Sequence, residues 1–293
     1  MYVASLSVIR RSHRSMLRAA GMAAQPNAWG ENATSSQVGC SCRCIFVDVG
    51  LNDGGTLMSW PQMALREMVL NNSRTRRRHA EMSACLSDAH RNSTCYFGFE
   101  ANPSFTARLQ TLERRLRAAS VCVELSTSTA FGKTNGRATL HVDSVTENSI
   151  GSTLDPRKPV VGPILIRRLN LTANHTYSAE RQVSSRDAAE FLQSLHGMRT
   201  HPSTGPQHAP FIAMKLDIEG FEYTLLPHLL KRAAHKGLQP ADSVTSRRAL
   251  CDIAVLAVEW HEKTGAPAYK GRTEILMKRL QQKGCHTLVL PWT

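Results

Sequence analysis

"APFIAMKLDIEGFEYTLLPHLL", residues 209–230, opens with six apolar or small residues, passes through Lys215, and then places Asp217, Glu219 and Glu222 within six positions. The apolar run has the length of a strand, and its continuous apolarity suits one covered on both faces, as in a parallel sheet. Beyond Gly220, the residues Phe221, Leu225, Leu226, Leu229 and Leu230 recur at helical spacing. Strand, acidic corner and helix in that order make one unit of an α/β sheet. In such sheets ligands bind outside the carboxyl ends of the strands, which is where these acids fall.

The same order repeats along the chain. "CIFVDVG" (44–50) reads as a buried strand running into the tight turn "GLNDGG" (50–55). "CYFGFEANP" (95–103) is a second strand ending at Glu100, and Pro103 opens a helix striped by Phe105, Leu109, Leu112 and Leu116. "VCVELS" (121–126), "GRATLHVDS" (136–144), "PILIRRLNL" (163–171), "IAVLAVEWH" (253–261) and "CHTLVLPW" (285–292) complete the strands, with 136–144 read as part of a hairpin. Residues 172–186 read as polar connection, and Asp187 with Glu190 has capping-box spacing ahead of a helix. The fold class is α/β: a doubly wound, mostly parallel, seven-stranded Rossmann-like sheet. It spans 44–293, behind a disordered or targeting segment 1–43, and carries a polar, basic insertion at about 71–94.

Composition narrows the class. The 293 residues carry a formal net charge of +13 and are 42% hydrophobic. No apolar run is long enough to cross a membrane as a helix. The basic residues are scattered. Their densest cluster, 74–79, lacks the interleaved aromatics of a nucleic-acid surface, which argues against a nucleic-acid partner. Two signals bear on compartment and point different ways. Residues 1–30 hold Arg10, Arg11, Arg14 and Arg18 and no acid, as in an organelle transit peptide. Five Asn-x-Ser/Thr sequons, at Asn32, Asn71, Asn92, Asn170 and Asn174, exceed the roughly two expected by chance and suit a secretory-pathway lumen. Of the eight cysteines, Cys122 and Cys251 fall in strand-like stretches and read as core thiols. Cys85 and Cys95 flank a polar loop, where an oxidising compartment would allow them to pair. Cys40, Cys42 and Cys44 do not have zinc-ligand spacing, and no residue is assigned to a metal.

Four strand ends converge if the sheet is parallel. They carry Asp48 with its glycine turn, Glu100, the acids Asp217, Glu219 and Glu222, and the pair Glu259 and His261. Glycines let a backbone approach a ligand, and a carboxylate after the second strand can accept both ribose hydroxyls of a nucleoside. A dinucleotide site would use G-x-G-x-x-G, whereas this turn is G-x-N-x-G-G with Asp53 inside it. Acids beside a pyrophosphate repel it, but beside a sulfonium they attract it. The electrostatics favour S-adenosylmethionine over NAD. The plainer alternatives are that Glu219 and Glu222 only stabilise a helix N-terminus and that His261 is structural.

The segments "FVDVGLNDGGTL", "GFEANP", "AFGKTNGRATLHV", "MKLDIEGFEYTLL" and "VEWH" together resemble the FkbM-type S-adenosylmethionine-dependent methyltransferases, from about residue 44 to the C-terminus. The resemblance implies a methyltransferase sheet in which Asp48, Gly50, Asn52 and Gly54 line the methionine part of the cofactor and Glu100 holds the ribose. The segment 126–130, starting at Ser126, would border the adenine. Asp217, Glu219 and Glu222 would stand where acceptor and methyl group meet. The 52-residue separation of Asp48 and Glu100 departs from the usual spacing of about 20, and the insertion accounts for it. The expected function is O-methylation of a sugar, glycan or other small hydroxylated molecule, with Asp217 or His261 as base and Glu219 beside them. The alternatives are an NAD-linked oxidoreductase and a catalytically inactive binding module on the same fold.

Overall fold

A computed structural model describes residues 40, 42–68, 72–87, 92–143, 151–155, 179–196, 210–231, 249–261 and 269–292. All of them belong to the compact unit Gly39–Thr293. The segment expected as strand 163–171, the N-terminal segment up to 39, and the sequons at Asn32, Asn71, Asn170 and Asn174 lie outside the described residues.

The elements follow in order as β1 (Cys44–Val49), α1 (Trp60–Glu67), α2 (Ser73–Cys85), β2 (Thr94–Glu100), α3 (Thr106–Ala118), β3 (Cys122–Thr127), β4 (Thr129–Gly132), β5 (Gly136–Val142), β6 (Ala179–Asp187), α4 (Ala188–His196), β7 (Phe211–Leu216), α5 (Glu222–Lys231), β8 (Val255–Glu259), α6 (Tyr269–Gln282) and β9 (Leu288–Trp292). Six strands form one sheet in the order β3-β2-β1-β7-β8-β9, every pairing parallel. Side chains alternate across this sheet. Ile45, Val47 and Val49 of β1 join the layer built by Phe191, Leu192, Leu225, Leu229 and Leu280 from α4, α5 and α6. Phe46 joins the opposite layer with Trp60, Met82 and Leu109 from α1, α2 and α3.

Two sequence expectations change. The main sheet has six strands rather than seven among the described residues. β5 leaves it and pairs antiparallel with β6, a strand from the stretch expected to be polar connection, and β6 pairs parallel with β4. β6 escaped notice because four of its nine residues are exposed and three more only half-buried; only Val183 and Asp187 are buried. The basic insertion also contains α2, capped by the Asn72 side chain accepting from Thr75 N at 2.9 Å, with Met82 and Cys85 turned inward. Asp187 caps α4 as expected, its Oδ1 accepting from Ala189 N and Glu190 N.

The cysteines are a further correction. All eight are paired: Cys40–Cys122, Cys42–Cys95, Cys44–Cys85 and Cys251–Cys285. Cys122 and Cys251 are therefore not core thiols, and Cys85 and Cys95 bond to other partners. Cys44, Cys95 and Cys122 start adjacent strands, so the bridges gather at the amino ends of the sheet. The Cys44–Cys85 bridge closes a span of 41 residues and ties α2 to β1. A chain-entropy argument gives a bridge of that span about 2–4 kcal/mol of stability. Replacing both cysteines with serine is expected to lower the unfolding free energy by that amount in a urea titration. An unchanged midpoint would mean that α2 is held by packing alone.

Candidate functional site

The sheet order reverses between β1 and β7, and at this switch point the exits of the two strands touch. Gly50 adopts φ +86°, and a Cβ there would overlap the carbonyl oxygen of Asp217. Asp217 N in turn donates to Val49 O at 3.0 Å. The turn continues through Asn52 and Gly54, both at positive φ, which brings Asn52 N to Glu100 Oε2 at 2.7 Å. Glu100 Oε1 accepts from Asn102 N at 2.6 Å. The carboxylate is thus fixed by two backbone amides at the end of β2. Burial raises its pKa to about 7, against the lowering effect of those amides.

A cleft of about 530 Å³, its open mouth included, lies above these strand ends. Its base holds Gly50, Asn52 and Glu100. One wall is apolar, with Ala130, Phe131, Leu140 and Leu154, and comes largely from the small sheet. Asp217 and Glu219 line the cleft as well. Gly50, Asn52, Glu100, Asp217 and Glu219 are therefore brought together at one cleft. Thr129 and Ala130, from the segment expected beside the adenine, also line it, but Ser126 does not. Nor does Gly54, where a Cβ would collide with Leu109 and Leu112 of α3.

Asp48 has a different place from the one expected. It is fully buried, and its Oδ1 meets Lys215 Nζ at 3.1 Å while Oδ2 accepts from Thr56 Oγ1 at 3.0 Å. Lys215 is 2% exposed and also reaches Asp217 Oδ2 at 3.3 Å. Burial alone would lower the lysine's pKa, but the carboxylates of Asp48 and Asp217 outweigh it and hold the ammonium above its ordinary value. Asp48 supports the site from behind through this ion pair. The sequence did not single out Lys215, although it stands in the same motif two residues before Asp217.

Beside Asp217 the end of β8 delivers His261. Its Nδ1 lies 3.0 Å from Glu222 Oε1, and Glu222 is fully buried at the start of α5. The same Oε1 accepts from Ile218 N at 2.9 Å. His261 Nε2 faces three further carboxylates, at 3.2 Å from Glu219, 3.7 Å from Asp217 and 3.8 Å from Glu259. Glu219 reaches it from a left-handed backbone conformation, φ +53°, that non-glycine residues seldom adopt. The main chain is anchored too, since Tyr223 Oη and Arg272 Nη1 both donate to His261 O. Burial and the charge of Asp217 raise the pKa of Glu259 to about 7, and His261 opposes the rise.

No family model, curated protein or solved structure matches the chain.

The chemistry of the site accordingly rests on its groups. Glu100 offers a fixed acceptor to hydroxyls, and the apolar wall suits a flat heteroaromatic ring. His261 can take a proton at Nε2 while Glu222 holds Nδ1–H, as a buried carboxylate orients a catalytic imidazole. Asp217, Glu259 and His261 also present three donor atoms within 4.8 Å of one another, a spacing that small side-chain rotations would fit to a divalent cation.

Two outcomes follow for the protein without ligand. Lys215→Met would strand Asp48 as a buried charge without its cation, and is expected to destabilise the fold by about 3–5 kcal/mol in chemical denaturation. Glu100 has a folded pKa raised to about 7 from an ordinary 4.5. The folded state therefore holds more protons than the unfolded chain between these values, and stability falls as pH rises through the window. The effect is about 3 kcal/mol at most. Glu100→Gln is expected to remove that part of the slope when melting is followed from pH 4.5 to 7.5.

Proposed function

We propose that the protein is an S-adenosylmethionine-dependent O-methyltransferase of the FkbM type, acting on a hydroxyl of a sugar, glycan or other small molecule. The observation that carries this reading is the lining of the cleft: the ribose-type acceptor Glu100 shares it with Asp217 and Glu219, acids that would repel a pyrophosphate and attract a sulfonium. The motif resemblance and the six-stranded parallel sheet support it.

S-adenosylmethionine supplies, when bound, a methyl group activated by a sulfonium. Glu100 would accept the ribose hydroxyls, helped in its aim by the amides of Asn52 and Asn102. Gly50 lets the Asp217 main chain close up against the end of β1, which sets Asp217 at the cleft. Ala130, Phe131, Leu140 and Leu154 would cover the faces of the adenine. Of the two candidate bases, His261 is the better placed. Asp217 already holds the Lys215 ammonium on Oδ2, whereas His261 is held by Glu222 at Nδ1 and turns Nε2 toward Asp217 and Glu219, which line the cleft. A proton taken from the acceptor hydroxyl would rest on Nε2, stabilised by Glu222 through Nδ1–H and by the surrounding carboxylates.

Calorimetric titration with S-adenosylhomocysteine and S-adenosylmethionine is expected to show saturable binding that Glu100→Gln weakens. Ribose hydroxyls require the ionised carboxylate, so binding expels the Glu100 proton below about pH 7. Affinity is expected to fall up to tenfold per pH unit below that point in the intact protein and to stay flat in the variant. Binding of NAD alone would establish an oxidoreductase instead.

His261→Ala and Glu222→Gln are expected to lower turnover about 100-fold or more while leaving S-adenosylhomocysteine affinity nearly unchanged. The three-donor group gives a second reading, in which a divalent cation activates the hydroxyl. Turnover lost in excess chelator and restored by magnesium would select that reading. Full turnover in chelator would keep His261 as the base.

A further inference from the structure

The sequons found no role in the catalytic reading, and neither did the disulfides. Asn92, Ser93 and Thr94 form a sequon at the amino end of β2, with Asn92 exposed. It lies between two half-cystines, Cys85 bonded to Cys44 and Cys95 bonded to Cys42. Thr94 is buried, and its hydroxyl donates to Cys85 O at 3.2 Å. Glu100 is at the other end of the same strand, about 20 Å away at 3.3 Å per residue. A group on Asn92 would thus project from the disulfide-bonded end of the sheet and leave the cleft open.

We propose that Asn92 is an N-glycosylation site, modified in the oxidising lumen in which the four disulfides close. Three observations converge on this: the exposed asparagine, the pairing of all eight cysteines, and five sequons where chance gives roughly two. The donor is a lipid-pyrophosphate-linked oligosaccharide. Asn92 Nδ2 attacks the first sugar at C1; the C–N bond forms, the C1–O bond to pyrophosphate breaks, and the lipid pyrophosphate leaves. The amide proton passes to a base of the transferase, and nothing is oxidised. Transfer precedes folding, while the Thr94 hydroxyl is still accessible. Each disulfide forms by exchange with a disulfide donor, which takes up the two electrons and two protons.

A reducing compartment would give these cysteines a different chemistry. The sulfurs of Cys42, Cys95 and Cys122 lie within 4.8 Å of one another, and as thiolates they could share a metal ion. Disulfide and thiolate exclude each other, so one experiment separates the two.

The full chain, with its own N-terminus, is expressed in a eukaryotic cell. It is denatured without reductant in iodoacetamide, then digested with and without N-glycosidase for peptide mass spectrometry. The expected result is a residue-92 peptide recovered as aspartate only after glycosidase, with no carbamidomethylated cysteine before reduction. Asn92→Gln should lose one glycan step in gel mobility, keep its unfolding midpoint and keep any S-adenosylhomocysteine binding. Thr94→Ser, which retains the hydroxyl, should keep glycan at Asn92. A bare Asn92 peptide overturns the proposal, whatever the state of the other sequons. So does labelling of Cys42, Cys95 and Cys122 as free thiols.

Discussion

The site depends on one buried lysine. Lys215 comes from β7 and faces Asp48 across the β1–β7 pairing, where the parallel register sets the two residues opposite each other. A charge with almost no access to water is tolerable only with partners of opposite sign, and Lys215 has two. One side chain therefore binds the strands at the switch point and fixes Asp217 at the edge of the cleft. The rest is built outward from that clamp. Asp217 O sits where only a glycine can pass at position 50, Thr56 secures the other oxygen of Asp48, and His261 approaches the free face of Asp217.

The two ends of the sheet are held by different chemistry. The amino ends carry covalent bridges that need no precise electrostatic balance. The carboxyl ends carry charges and unusual backbone. Asn52 and Glu219 both line the cleft with φ near +50°. Such conformations cost of order 1–3 kcal/mol each and persist only where the surroundings impose them. The apolar core supplies that surrounding rigidity and reaches the cleft through Val49, Phe99 and Phe131, while the bridges stay at the opposite ends of the strands.

What the sequence revealed follows from how local each signal is. The strands of the main sheet were legible because burial on both faces demands unbroken apolar runs, as in 44–50 and 211–216. Their carboxyl ends were legible for the same reason, since polarity resumes there, and so Glu100, Asp217 and Glu219 were found. β6 was not, because a strand with only two buried residues has no such demand and its pattern looks like loop. The cysteine pairing was hidden because it depends on which strands are neighbours. Cys95 and Cys122 are register partners, yet each bonds to the segment before β1. Asp48 was assigned to the cofactor because its ammonium partner is 167 residues away.

The net charge of +13 gives no guide to the cleft, because a site's field is set by what lies within a few ångströms. Among the described residues, Asp48 and Asp217 hold Lys215, Glu219, Glu222 and Glu259 gather on His261, and Arg272 stands beside Glu222, so acids outnumber fixed cations there. In the proposed reaction this excess has a use at both ends of turnover. It favours a cationic donor on arrival. The donor's positive charge disappears with the methyl transfer, and the proton released by the acceptor hydroxyl takes its place. That proton has a receiver in His261 and a neighbour, Glu259, whose desolvation already lets it hold a proton near neutral pH. The cluster therefore carries a similar charge before and after transfer.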